Sequence, residues 1–419
     1  MRILHAPANI ANQAWYAAKG LRALGHEVEV WEYDTNRFGF PVDRAIDTSS
    51  HDTKMVFDLL TEAIQRFDVF HFHFARTLIP SWVPMPFLWD LPLLRMLGKK
   101  VFMTFHGSEI RVRKIHEEYT PWSYFRFSDL DVDDDLVTKR TQVIRTFVDR
   151  MFVVSTDYFP FVPDAEWMPR IIDLTEWPEQ EPSIRPVPQV LHIPSRRGKK
   201  GTEMILEGLE ALKREGVPFD LTLVEDVPHD EARARIRAAD IVIDNVLTGD
   251  YELVSMETMA SSRVAVSYIS DAVLDSFGGD VPVYNVNPAT FVERMRDLIT
   301  DRPMCLDLAS RGRAHVARIH DAPVVAAMLA DRYASTGTKG SSRAFPDWYS
   351  SGDERKVERL EERAATLATD RARLTKVNAV LRERLARLDR RSRRLDSVKG
   401  LLPPAARKRL RALRRRAGR

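Results

Sequence analysis

Two short stretches carry the residue types that could bind and polarise an anionic ligand. The first is TGDYELVSMETMA (248–260), which follows the apolar run Ile241-Val242-Ile243 and Asp244. The pattern predicts that a buried strand ends, a loop turns, and a helix begins with Glu257 in or near its first turn. A carboxylate there complements the positive end of the helix dipole, and that role alone is one reading of it. The second is HIPSRRGKKGTEMIL (192–206), where Arg196, Arg197, Lys199 and Lys200 precede Gly201 and a helical segment. Flexible cations beside free N–H groups at a helix start make a site for a diphosphate. GxxxxGK[ST] is absent, so this is no Walker loop, and a solvated basic turn is the other reading. His71 and His73 alternate with Phe70, Phe72 and Phe74. Without convergent carboxylates or cysteines they predict core or cleft packing, and no metal site is expected.

Both stretches need a frame to hold them. Apolar runs at 2–6, 27–33, 68–74, 100–105 and 151–154 alternate with helical spacing at 12–24 and 53–67. After the prolines at 160–163 and 178–188 the pattern restarts. Strands are expected at 190–193, 221–224, 240–244 and 264–269, and helices at 201–215, 230–238 and 255–262. Strands alternating with helices imply parallel sheets covered on both faces. The reading is two doubly wound units, the second completed by helices up to about Ser335. In such sheets ligands bind beyond the carboxyl ends of the strands, where both stretches fall.

With 419 residues, 44% of them hydrophobic, the chain can bury more than one core. One cysteine, Cys305, excludes an internal disulfide framework and fits a reducing compartment. No targeting signal or bilayer-spanning apolar run is evident, so a soluble cytoplasmic protein is expected. The net charge of +3 is unevenly spread. Residues 390–419 hold 13 Lys and Arg against one acid, while the rest carries 50 basic and 59 acidic residues. The acidic run Asp129, Asp131, Asp133, Asp134 and Asp135 reads as a solvated helix start. Leucines at 360, 367, 374, 381, 388 and 395 recur every seven residues, with Asn378 on the other seam. They predict a parallel coiled-coil homodimer, with a long helix folded back on the body as the other reading.

Five segments, in order, resemble family-4 glycosyltransferases of the GT-B fold: MRILHAPANIANQAWYAAKGLRALGHEVEVWEY, FHGSEIR, WMPRIIDLTEWPE, HIPSRRGKKGT and ADIVIDNVLTGDYELVSMETMASSRVAVSYI. The resemblance spans about residues 1–335. It implies an α/β GT-B chain with two Rossmann-like domains facing a cleft: 1–165 on the acceptor side and 166–335 on the nucleotide-sugar donor side. A linker (336–352), a coiled coil (353–396) and a basic amphipathic tail (397–419) would follow. Residue by residue, the resemblance gives Glu257 the donor's ribose hydroxyls, which suits two acceptor oxygens facing a vicinal diol. Arg197 and Lys200 would neutralise the diphosphate and stabilise the leaving oxygen. Leu253 and Val254 would offer backbone N–H groups to it, and Tyr251 fits a variant of the donor loop. His106 would lie near the transferred sugar, with packing as the other reading. Asn12, Gln13 and Glu109 are placed at the acceptor or cleft side; Asn12 could instead cap its helix, and Glu109 could be a surface acid paired with Arg111 or Arg113.

The implied activity is metal-independent, retaining transfer of a sugar from a nucleoside-diphosphate sugar to a hydroxyl acceptor, with no cofactor. The acceptor expected is a glycan or lipid-linked precursor of an envelope or surface glycan. Departures leave other readings open. Gly249 stands where the family's motif has its first Glu, Glu252 where it has a second glycine, and Ser262 and Val264 where it has Gly and Pro. A strand usual between Val224 and Asp240 is not evident. A non-catalytic scaffold recruited to the membrane through the coiled coil and tail, or a nucleotide-sugar epimerase, would also fit. Leu410 and Leu413 on one side of an arginine-rich tail suit an anionic bilayer at the inner membrane face. Nucleic acid is disfavoured because no aromatic residue interleaves the basic ones.

Overall fold

The computed structural model describes residues 1–34 and 38–337. The linker from residue 338, the coiled coil and the basic tail lie outside the described residues. Among the described residues, twelve strands form two wholly parallel sheets. The first contains β1 (Arg2–Ala6), β2 (Glu27–Tyr33), β3 (Arg44–Ile46), β4 (Val69–His73), β5 (Lys100–Phe105), β6 (Arg150–Val153) and β7 (Glu166–Trp167), in the order β3-β2-β1-β4-β5-β6-β7. The second contains β8 (Gln189–His192), β9 (Asp220–Leu223), β10 (Ile241–Asn245), β11 (Val264–Ser267) and β12 (Tyr284–Asn285), in the order β12-β11-β10-β8-β9. Both sheets belong to one compact unit of the chain.

Central strands are buried throughout because helices cover both faces: all five residues of β4 and of β10 are buried, the polar His71, His73, Asp244 and Asn245 among them. The covering helices read as amphipathic. In Thr53–Arg66 the buried residues are Val56, Leu59, Leu60 and Ala63, and Asp52 caps the start by accepting from the N–H groups of Lys54 and Met55 at 2.9 and 3.2 Å. The order reverses between β1 and β4 in one sheet and between β8 and β10 in the other. Loops leaving those strands diverge and open a crevice at each switch point.

One helix departs from expectation. Ala322–Ser335 does not complete the second unit; Val325, Ala326, Leu329 and Tyr333 pack into the core of the first, beside Ala14, Ala17 and Leu21. Sequence proximity suggested the second unit, but this apolar face finds its complement on helix Gln13–Ala23. Gly20 permits the approach, since a Cβ built there would lie 2.5 Å from Ala326 Cβ. The chain thus crosses between lobes twice. The crossings run side by side, joined by a parallel bridge between Ile172 and Asp321. Three strands escaped prediction, β3, β7 and β12, each three residues or fewer and at or near a sheet edge.

Candidate active site

The loops at the carboxyl ends of the two sheets enclose a cleft of about 440 Å³. From the first sheet come Asn9, Ile10, Ala11, Gln13, His106 and Val154; from the second come Ser195, Lys199, Lys200, His229, Glu252, Leu253, Val254 and Glu257. Arg170, from the crossing between the lobes, and Phe40 also line it.

The wall contributed by the second sheet is built from two helix starts. A single turn, Arg197–Lys200, ends at Gly201, whose φ of +73° and closeness to Val246 exclude a side chain. That turn buries Lys200, whose Nζ pairs with Asp244 and, at 2.5 Å, with Glu252. Lys199 Nζ reaches the other Glu252 oxygen at 3.0 Å. Burial opposes the charge on Lys200, yet Asp244 and Glu252 overcome it and raise its pKa. Burial lowers that of Lys199. For Glu252 burial acts upward, but Lys199, Lys200 and Arg170 pull it well below the usual carboxylate range. Asp244 also anchors the second helix start, accepting from the N–H groups of Glu252 and Ser255 at 3.0 and 3.2 Å and from Ser255 Oγ at 2.8 Å. Helix Leu253–Ala260 then presents Leu253 and Val254 in its first turn, where N–H groups have no helical partner. Glu257, 4% exposed, faces the cleft from the next turn and bonds His229 Nε2 at 2.7 Å. Burial works against a charged His229, but the hydrogen bond and charge of Glu257 prevail and raise its pKa.

Opposite stands His106, at the end of β5. Its Nε2 lies 3.1 Å from His73 Nδ1, and His73 Nε2 lies 2.9 Å from His5 Nδ1. Burial pushes all three imidazoles down, His73 to about 3 and the others well below their ordinary value, so they are neutral near pH 7. His71, on the same strand as His73, bonds Tyr333 Oη and, at 2.6 Å, Thr104 Oγ1. Gln13 clamps the crossing segment, accepting from the N–H of Ile171 at 2.6 Å and donating to its carbonyl at 2.8 Å.

Several expected positions need correction. Arg197 does not line the cleft; its guanidinium turns outward to Glu203 and Glu225, each at 2.8 Å. One helical turn cannot aim residues 197, 199 and 200 all inward, and Lys199 is the second cation beside Lys200. Tyr251 is buried behind the loop, its hydroxyl 2.9 Å from His320 Nε2 and 3.3 Å from His315 Nε2. Asn12 is buried off the cleft; it caps nothing through its side chain, which accepts from Asn9 Nδ2. Glu109 is no surface acid: it lies buried under His106, accepting that residue's N–H, and burial raises its pKa. Arg111 pairs instead with Asp157 at 2.6 Å. Of the acids near the vacant motif position at Gly249, Glu252 faces the cleft, whereas Asp250 pairs with Arg170 behind it. His229 and Arg170 were missed as site residues. The signal for His229 was its place just after β9, at the same carboxyl-end edge. No group of His, Cys, Asp or Glu among the described residues is arranged to hold a metal ion, and no described helix is long and apolar enough to cross a membrane.

No protein-family profile matches the sequence, and no curated protein does. Solved structures do match in shape. A sucrose-phosphate synthase from Thermosynechococcus elongatus superposes with a TM-score of 0.55 at 13% identity, over 79% of this chain and 98% of its own. Anabaena HepE, solved with UDP and glucose, gives 0.54 at 12%, over 80% and 100%. A glycosyltransferase from Rickettsia africae gives 0.54 at 11%, over 79% and 97%. The chain has the GT-B fold. Lys200, Glu257 and His106 all line the cleft between its lobes.

Proposed function

We propose that this GT-B chain is a glycosyltransferase of the family-4 type, moving a sugar from a nucleoside-diphosphate sugar to a hydroxyl acceptor with retention and without a metal. One observation carries the reading: Lys200 and Glu257, an ammonium and a carboxylate, line the same inter-lobe cleft on either side of the first turn of helix Leu253–Ala260. That turn's N–H groups and the lysines suit the diphosphate. Glu257 suits the ribose diol, exchanging His229 for two hydroxyls. Neutral His106 suits a sugar hydroxyl from the opposite wall. The UDP and glucose of the HepE complex support a ligand of this class. A thermal-shift panel of UDP-, GDP- and ADP-sugars tests it. At least one should raise the melting temperature, and the gain should shrink in Glu257→Gln and Lys200→Ala. No gain with any of them refutes the reading.

The second reading is a non-catalytic scaffold, favoured by Glu252, which already pairs with both cleft lysines. The acceptor we propose is a glycan or lipid-linked precursor, presented where the basic tail holds a coiled-coil dimer to an anionic membrane. Deleting residues 397–419 should abolish sedimentation with anionic liposomes; unchanged sedimentation removes that part of the proposal.

A further inference from the structure

Glu252 is the cleft carboxylate that sits on both lysines, where its charge works against the ligand just proposed. It occupies the last position before helix Leu253–Ala260, with a β-region backbone (φ −96°, ψ −166°) and no capping bond of its own. Its carboxylate reaches across to both ammonium groups, one oxygen to Lys199 at 3.0 Å and the other to Lys200 at 2.5 Å. Arg170, the third cation lining the cleft, is spent on Asp250 and on the carbonyl of Tyr251. Asp244 holds the remaining side of Lys200. Lys199, Lys200 and Arg170 are therefore met by three carboxylates, those of Asp244, Asp250 and Glu252.

A carboxylate bridging two ammonium groups at the N-terminus of a helix makes the kind of contacts that a phosphate oxygen pair would make there. We propose that Glu252 is a resident anion that competes with the ligand's diphosphate for Lys199 and Lys200 and so determines how strongly the cleft discriminates by ligand charge. The inference rests on the glycosyltransferase reading of the cleft. Two consequences follow from Coulomb's law. A diphosphate entering the wall must displace Glu252 from the lysines or endure its repulsion. A ligand of lower charge meets less of that opposition, so Glu252 narrows the advantage of diphosphates over monophosphates.

Titration calorimetry tests this on the full chain. The probes are UDP, GDP and ADP, the matching monophosphates, and inorganic pyrophosphate, which reads the cations without a base. The variants are Glu252→Gln, which keeps the shape, Glu252→Gly, which removes the side chain, and Glu252→Asp, which keeps the charge. Thermal melts without ligand establish that each is folded. Removing the charge should tighten diphosphate and pyrophosphate binding about tenfold or more. Monophosphates should gain less, and Glu252→Asp should stay near wild type. Diphosphate binding that is unchanged or weaker in folded Glu252→Gln and Glu252→Gly, while wild type binds a diphosphate, overturns the inference and leaves the glycosyltransferase reading standing. A gain for pyrophosphate with no nucleotide bound by any version supports the resident anion and sinks the nucleotide-sugar reading. Binding of no probe by any version overturns both.

Discussion

Replacing Lys200 with methionine examines its buried ion-pair network through stability alone. The side chain is 3% exposed and makes two ion pairs. Methionine preserves most of the packing volume, so the change removes charge without opening a large cavity. Breaking a buried pair from one side typically costs about 3–5 kcal/mol, because the partner charge is stranded. Here both partners retain other contacts: Asp244 keeps two N–H groups and the Ser255 hydroxyl, and Glu252 keeps Lys199. The expected loss is therefore at the lower end, about 3 kcal/mol. At an unfolding entropy of about 2.1 cal/mol/K per residue this lowers the melting temperature of the unit by about 4 °C. Urea denaturation measures the loss directly, and adding Asp244→Asn should restore much of it, since the stranded charge goes too. The pKa of Lys200 is raised, so the wild-type advantage is fully present below about pH 10.4, the unfolded value, and lost as pH rises through the folded one. A loss below about 1 kcal/mol, in the range of a solvated surface pair, would refute the buried network.

Other outcomes follow from the same contacts. His229 has a raised pKa, so the stability of its pair with Glu257 is fully present below about pH 6.5 and fades as pH rises through the folded value. Urea midpoints across pH 5.5–9 should show that decline in wild type and not in Glu257→Gln. Gly201→Ala combines a left-handed φ with a Cβ 2.5 Å from Val246 and should cost about 3 kcal/mol by the same assay. Tyr333→Phe leaves His71 Nδ1 buried without its partner, a loss of about 2 kcal/mol; an unchanged midpoint would contradict the contact.

Much of this was legible because hydrophobic period and helix signals are local. The predicted strand at 100–105 matches β5 in both bounds, and the helix at 53–67 differs by one residue from Thr53–Arg66. Strands β3, β7 and β12 were not legible, since two or three residues carry no periodicity and their pairing depends on neighbours distant in sequence. Lys200 and Glu257 line the cleft, as their places in a loop and at a helix start suggested. Arg197 misled: its long side chain goes to whichever carboxylates lie near, and Glu225, 28 residues on, cannot be paired with it from spacing. The merger of His5, His73 and His106 into one hydrogen-bonded row requires three adjacent strands, which only the sheet order supplies.

The helix Ala322–Ser335 has a consequence for how the protein comes into being. On a ribosome the first lobe's seven strands emerge well before the segment that shields helix Gln13–Ala23, so the apolar flank around Ala14, Ala17 and Leu21 must wait uncovered while the second lobe is synthesised. Translation order and folding order are thus decoupled, and the lobe made first is the one finished last.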